Sequence, residues 1–174
     1  MKNFVFASIQ FAIIALLVAC EAIPGTSPGN IAPDFKLKDI EDKTHQLSDY
    51  KGKVVMIHLW TDWCNSCRAE FPRIQEYYAE LKSDDFELLA INVGQPVSTS
   101  REFQQSFGIS FPMLSDPQKI MKDIYKVEAF PTNYFIGPDG KIIRRMIGWL
   151  HKKQVQVIID QNKNKGSKTV QAAK

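Results

Sequence analysis

The chain has 174 residues, which is enough for one domain with additional segments at its ends. Hydrophobic residues make up 44% and charged residues 24%, a composition that excludes wholesale disorder, collagen and a disulfide-dense miniprotein. The formal net charge of +3 is too small to indicate nucleic acid as a partner. Because there are three cysteines, one thiol is left over after a pair forms and needs its own explanation.

Residues 1–19 are predicted to be the signal peptide of an exported lipoprotein. Lys2 is followed by an apolar run, Phe4–Ala19, which is shorter than the roughly 20 residues of a membrane-spanning helix. Cys20 stands where the run stops, as in the lipobox of bacterial lipoproteins, and we expect it to be lipidated. In the alternative interpretation, the run is an ordinary signal peptide or an uncleaved anchor, and Cys20 is incidental. Glu21, where Asp often signals inner-membrane retention, weakly favours the outer membrane.

The segments on either side of the predicted domain, residues 32–161, have a different composition from it. Residues 20–31 are rich in Pro and Gly and are predicted to form a flexible tether. Residues 162–174 are polar and Lys-rich and are predicted to form a basic, disordered tail that is solvated rather than bound to anionic lipid. From His151 onward the chain carries six Lys and one Asp, whereas the body of the chain is slightly acidic.

Strands alternate with helices between these ends. Apolar runs predict strands, at residues 53–60, 86–93, 113–114, 132–136 and 141–147. Helical spacing predicts helices, at residues 67–82, 98–107, 117–125 and 153–161. We expect Ser98 or Thr99 to cap the second helix and Pro117 to begin the third. A Gly-Pro-Asp-Gly turn at 137–140 joins the last two strands into a hairpin. This order predicts an α/β fold with a central mixed sheet flanked by helices.

Two cysteines, Cys64 and Cys67, stand between the central strand and the helix that follows it. The free N–H groups and the dipole at a helix start stabilise a thiolate at the first cysteine. The second cysteine lies one turn further on the same face and is expected to be less exposed. We therefore expect Cys64 to attack and Cys67 to resolve. The small loop between them favours a redox role over a structural one.

Other uses of the cysteine pair fit the sequence less well. Zinc prefers four ligands, but there is no second Cys pair, and the only histidines are His45, His58 and His151. Covalent haem attachment needs His directly after the second cysteine, where this chain has Arg68. A plain structural disulfide remains the alternative.

From about residue 32 to 150, the chain resembles the TlpA/ResA-like branch of the thioredoxin-fold thiol–disulfide oxidoreductases, which is related to the AhpC/TSA and redoxin proteins. The segments that carry this resemblance occur in the family's order, at 32–35, 47–53, 60–72, 130–132 and 137–140. It implies a thioredoxin-like fold with an N-terminal β extension and, between residues 93 and 127, the αβ insertion of this branch. It also implies an envelope enzyme that reduces substrate disulfides.

The resemblance assigns roles to several residues of the redox core. Cys64 is the nucleophile and Cys67 the resolving thiol, and the two form a redox-active disulfide. Pro131 is expected to be cis and to lie against this pair, and Phe130 to shape a substrate groove. Glu70 matches an acidic residue near the active site that could relay protons. In the alternative interpretation, Glu70 is a first-turn helix residue that complements the dipole.

Other residues are expected to surround the redox pair. Trp63 precedes Cys64 and is expected to limit its exposure, and Thr132 follows the cis-proline. Asn65 and Ser66 replace the proline-containing pair usual in the family and are expected to tune the redox potential. His58 occupies the strand position where thioredoxins bury an acid beneath the second cysteine. We hypothesise that His58 deprotonates Cys67; the alternative is a core histidine bonded to a neighbour.

The resemblance also implies the enzyme's partners. The Cys64–Cys67 disulfide is expected to be the only redox group, with no separate cofactor and no metal. The expected partners of the monomer are protein thiols and disulfides such as apocytochrome c, a membrane thiol electron donor, and the membrane itself through Cys20. Two alternatives remain, a peroxiredoxin-like peroxidase and a non-catalytic thiol metallochaperone. The sequence does not fix whether the enzyme reduces or oxidises its substrates.

Overall fold

The structure, a computed structural model, describes residues 25–164. Its strands are β1 Lys36–Asp39, β2 Thr44–Gln46, β3 Val54–Trp60, β4 Phe86–Val93, β5 Met113–Asp116, β6 Thr132–Ile136 and β7 Ile142–Ile147. Its α-helices are α1 Asn65–Leu81, α2 Val97–Phe107, α3 Ile120–Ile124 and α4 Lys152–Asn162. A short 3₁₀ helix, Leu47–Tyr50, follows β2.

The strands form one mixed sheet of seven, in the order β2-β1-β5-β4-β3-β6-β7. Strand β3 lies inside it, parallel to β4 and antiparallel to β6. Strands β1 and β2 form the expected N-terminal extension, in which β1 pairs antiparallel with β5. The mixed α/β architecture predicted from the sequence is confirmed.

Strand β3 separates the two halves of the hydrophobic core because its side chains point alternately to the two faces of the sheet. Met56 and Trp60 pack with residues of α1, α2 and α4 on one face. Ile57 and Leu59 pack on the other face, with α3 and the N-terminal extension. All seven residues of the strand are buried, which explains its unbroken apolar sequence. The strand ends beneath the start of α1, next to the cysteine pair.

All four helices begin at residues other than those predicted, although α1 and α4 begin only two residues and one residue earlier. Helix α2 begins at Val97 with Pro96 as its N-cap, so the prediction of Ser98 or Thr99 is wrong. Helix α3 begins at Ile120 rather than Pro117, because the buried carboxylate of Asp116 accepts hydrogen bonds from the N–H groups of Ile120 and Met121, both at 2.9 Å. Residues 117–119 form the turn that brings these groups to Asp116.

The residues just before β1 are hydrogen-bonded to the last hairpin. The N–H of Gly29 donates to the carbonyl of Ile142 at 2.8 Å, and the N–H of Ile142 donates to the carbonyl of Asn30 at 2.9 Å. Ile31 forms a bridge with Lys141. The end of the predicted tether is thus joined to the folded domain. The predicted signal peptide, Cys20 and residues 165–174 of the predicted tail lie outside the described residues.

No helix within residues 25–164 combines the length and apolar character needed to cross a membrane.

Candidate active site

The cysteine pair lies at the beginning of α1 and forms a disulfide, with an S–S distance of 2.10 Å. Cys64 is the N-cap of the helix, and its Sγ accepts the N–H of Cys67 at 3.2 Å. The Ser66 hydroxyl lies 3.3 Å from the same sulfur and is the donor in this second hydrogen bond, because a disulfide sulfur carries no proton. Cys67 has no exposed surface, whereas Cys64 keeps 5% exposed. As expected, Cys64 is the outer sulfur and is the one held by hydrogen-bond donors.

Exposed aromatic surface adjoins the pair. Trp63 is 69% exposed, and its ring meets that of Phe130 edge to face, with 5.7 Å between centroids. The Phe130–Pro131 peptide bond is cis, as the resemblance implies. Thr132 is buried, and its hydroxyl donates to the carbonyl of Ala129 at 2.6 Å. The indole of Trp63 therefore offers an apolar face to solvent beside Cys64.

Glu70 is a buried carboxyl group on the second turn of α1. Its side chain is 1% exposed, and the first turn of α1 holds no acidic residue, so the interpretation as a first-turn residue that complements the dipole is wrong. Oε1 accepts the N–H of Leu150 at 2.8 Å, and Oε2 has no hydrogen-bond partner within residues 25–164. Burial raises the pKa of Glu70 to about 7, against the opposing effects of the Leu150 N–H and the Arg73 charge. This carboxyl group can therefore exchange a proton near neutral pH.

His58 lies fully buried on β3, on the sheet face that packs against α1. Its Nδ1 lies 2.7 Å from Oδ1 of Asn133, while Nδ2 of Asn133 donates to the carbonyl of Gly148. This arrangement makes Nδ1 the donor and leaves a lone pair on Nε2, which has no partner among the described residues. Burial lowers the pKa of His58 to about 4, and the bond with Asn133 only partly opposes this. The side chain is therefore neutral at neutral pH.

Gln95, which the sequence analysis did not select, holds the loop that leads to Cys64. Its Oε1 accepts the N–H of Asp62 at 3.0 Å and an N–H of Asn92 at 2.7 Å. Its Nε2 donates to Oδ1 of Asp62. The available signal was position, because Gln95 follows β4, and loops after neighbouring parallel strands meet at one edge of a sheet.

The sequence matches the AhpC/TSA family over residues 28–145. It is 36% identical over 129 residues to the thiol-disulfide oxidoreductase ResA of Bacillus subtilis, covering 74% of this chain and 72% of that protein. The chain belongs to the AhpC/TSA family. Within it, the chain is a ResA-like thiol–disulfide oxidoreductase, and the peroxidase and metallochaperone alternatives are not favoured.

Solved structures agree with this assignment. A candidate thiol:disulfide interchange protein DsbE of Chlorobium tepidum superposes with a TM-score of 0.70 at 27% identity, over 76% of this chain and 95% of that chain. The exposed lipoprotein thioredoxin Etrx1 of Streptococcus pneumoniae has a TM-score of 0.63 at 30% identity, over 74% of this chain and 99% of that chain. The fold is therefore thioredoxin-like, as expected.

Proposed function

We propose that this oxidoreductase is a membrane-tethered reductant of protein disulfides, in which Cys64 is the nucleophile and Cys67 the resolving thiol. The asymmetry of the pair is the observation that carries this proposal. Cys64 Sγ lies at the helix start with two hydrogen-bond donors, whereas Cys67 is fully buried. Hydrogen-bond donors and the helix dipole favour a thiolate at Cys64, and burial keeps Cys67 from external disulfides.

The proposed reaction transfers two electrons to the substrate in two exchange steps. The Cys64 thiolate attacks one sulfur of a substrate disulfide, forming a mixed disulfide and releasing the other substrate sulfur as a thiolate. Cys67 then loses its proton and attacks Cys64 Sγ. The Cys64–Cys67 disulfide forms, and the second substrate thiolate leaves. An external dithiol of the membrane then reduces this disulfide by the same exchange and is itself oxidised.

Glu70 is the better candidate to accept the proton from Cys67. Its pKa of about 7 lets the carboxylate take up a proton at neutral pH, and its Oε2 has no other partner among the described residues. His58 also has an available lone pair, on Nε2, but its pKa of about 4 makes it a weak base. We therefore assign proton transfer to Glu70 and a supporting position in the core to His58.

Export and lipid attachment at Cys20 would place the enzyme in the cell envelope, where protein disulfides form and must be reduced. The apolar run ending at Cys20 supports this part of the proposal, as does the similarity to a protein described as an exposed lipoprotein. Apocytochrome c, whose cysteines must be reduced before haem attachment, is a candidate substrate.

Trapping tests the proposed chemistry in the full-length protein. A Cys67→Ala variant should hold substrates on Cys64 as mixed disulfides, which mass spectrometry would identify after thiol blocking. The double variant Cys64→Ala/Cys67→Ala is the control and should hold none. The complexes should be recovered with membranes, and Cys20→Ala should release them. Equal capture by the double variant, or none by Cys67→Ala, would contradict the assignment of Cys64.

A further inference from the structure

A cleft of about 150 Å³ opens beside the cysteine pair. Trp63 and Phe130 line it, and these residues directly precede Cys64 and the cis-proline. Thr61 and the end of β4 contribute further lining. A group bound in this cleft would therefore lie next to the position where a substrate disulfide must approach Cys64.

Two lysines, Lys119 and Lys122, also line the cleft. Lys119 has a left-handed backbone conformation, with φ of 62°, and caps the helix whose first turn is held by Asp116. Its aliphatic chain packs closely over Gly94. A side chain at position 94 would collide with it, since a Cβ there would lie only 2.6 Å from Lys119 Cε. Gly94 also has φ of +80°, which favours glycine. The Lys119 side chain thus extends along the cleft from a backbone position fixed at the start of α3.

Both lysine ammonium groups are available to a ligand. Each side chain is exposed, and within residues 25–164 neither ammonium has a carboxylate oxygen within 4.0 Å. The cleft therefore combines an exposed aromatic wall with two positive charges. An inorganic anion would use only the charges, whereas a polypeptide with a carboxylate beside apolar atoms would use both the charges and the aromatic wall.

We propose that this cleft binds an acidic side chain, Asp or Glu, next to the target cysteine of the substrate. The carboxylate would lie between Lys119 and Lys122, while neighbouring apolar atoms pack on Trp63. This inference rests on the proposed function, because the binding is useful only if it orients a disulfide toward Cys64. It adds a substrate class, acidic polypeptides, to the disulfide chemistry.

Matched peptides test this preference. Three synthetic peptides, each closed by one disulfide, differ only in the residues flanking the cysteines, which are Glu, Gln or Lys. The reduced full-length protein should reduce the Glu peptide with a kcat/KM about threefold to tenfold above that of the Gln peptide, mainly through KM, because charge complementarity favours binding. The Lys peptide should be the slowest, and added salt should narrow the differences.

Charge reversal in the cleft should invert the order of the peptides. In the Lys119→Glu/Lys122→Glu variant, the Lys peptide should become the better substrate. The ratio between two peptides is compared within each variant, so a general change in activity cancels. Lys51→Glu is the matched control, because Lys51 is exposed and precedes the opposite end of β3, and it should keep the wild-type order. Lys119→Gln/Lys122→Gln removes the charges without adding carboxylates and should abolish the preference.

The outcomes separate this inference from the proposed function. Bis(hydroxyethyl) disulfide is uncharged and reports the chemistry of Cys64 without the lysines. If the wild-type protein does not reduce it, the proposed function fails. If the protein reduces it but turns over the Glu and Lys peptides equally, only the acidic-substrate inference is overturned. If both lysine double variants still prefer the Glu peptide to the Lys peptide, the acidic-substrate inference is overturned in the same way.

Discussion

At the scale of single residues, burial shifts the pKa values of two core side chains, His58 on β3 and Glu70 on α1, in opposite directions. It lowers the pKa of His58 from 6.5 to about 4 and raises that of Glu70 from 4.5 to about 7. Between pH 6.5 and about 4, the unfolded chain binds more protons at His58 than the folded chain does. The free energy of unfolding therefore falls as the pH is lowered through this interval. The folded chain binds more protons at Glu70, so stability rises as the pH falls from about 7 to 4.5.

The two contributions should partly cancel in the wild-type protein and separate in variants. Glu70→Gln should lose stability more steeply than wild type as the pH is lowered from 7 to 4.5, by on the order of 2 kcal/mol. His58→Asn, which keeps a donor for Asn133, should lose less stability than wild type over the same interval. Urea unfolding at a series of pH values measures both slopes.

A surface carboxyl on the same helix provides the control for these slopes. Glu76 is exposed on α1, so Glu76→Gln makes the same substitution without removing a buried carboxyl group. If the free energy of unfolding of Glu70→Gln has the same pH dependence as that of Glu76→Gln, the carboxyl group of Glu70 is not protonated in the folded protein at pH values where it is ionised in the unfolded chain. Proton transfer would then have to be assigned elsewhere.

The sequence explains the burial of Glu70 better than its hydrogen bonding. Glu70 lies on the same stripe of α1 as Ile74 and Tyr77, so its burial agrees with helical spacing, although the sequence analysis did not predict it. Its partner, the N–H of Leu150, is 80 residues away, and no local pattern encodes that contact. No local pattern encodes the hydrogen bond between His58 and Asn133 either, since it depends on the pairing of β3 with β6.

At the scale of elements, Gln95 joins the β4–α2 loop to the loop that carries Cys64. Gln95→Ala should lower the free energy of unfolding by about 1 kcal/mol, because the Asp62 N–H loses its acceptor. It should also change how the rate of Cys64 alkylation depends on pH, because the loop before the helix start is no longer fixed. Stopped-flow alkylation of the reduced protein measures this.

A nearly isosteric change distinguishes hydrogen bonding from space filling at this position. Gln95→Glu would place a carboxylate against that of Asp62, where wild type has an N–H donor. At neutral pH we expect Gln95→Glu to lower the free energy of unfolding more than Gln95→Ala does, because the two carboxylates repel each other. In acid, protonation of one carboxyl should restore the lost stability. A stability equal to wild type at both pH values would show that the side chain only fills space.

Local sequence patterns predicted which segments form helices and strands more reliably than the residue at which each helix begins. The apolar runs predicted β3, β4 and β6 because burial on both faces leaves little room for polar residues. The start of α3 was missed because the capping group is the side chain of Asp116 at the end of a strand, four residues before Ile120. The pairing of β1 with β5 joins distant segments, and strand composition alone does not specify that register.

At the scale of the whole molecule, the direction of the reaction depends on which redox form is more stable. The folding and redox equilibria form a closed cycle, in which about 30 mV of potential corresponds to about 1.4 kcal/mol of stability. Strong oxidants of this fold stabilise their reduced form. Here the residues between the cysteines, Asn65 and Ser66, are uncharged, and the buried His58 is neutral at neutral pH. No cation among these groups adds to the hydrogen-bond donors and the helix dipole at Cys64. We therefore expect the disulfide form to be the more stable one and the protein to act as a reductant.

The oxidised protein should therefore unfold at a higher urea concentration than the reduced protein, and its potential should lie nearer thioredoxin's, about −270 mV, than DsbA's, about −120 mV. Equilibration in dithiothreitol or glutathione buffers, followed by alkylation of free thiols, gives the potential independently of unfolding. A Cys64→Ser/Cys67→Ser variant should unfold identically with and without reductant, which controls for effects of the reductant itself. If the reduced form unfolds at the higher urea concentration, the cycle makes the protein an oxidant, and the proposed direction of electron flow is reversed.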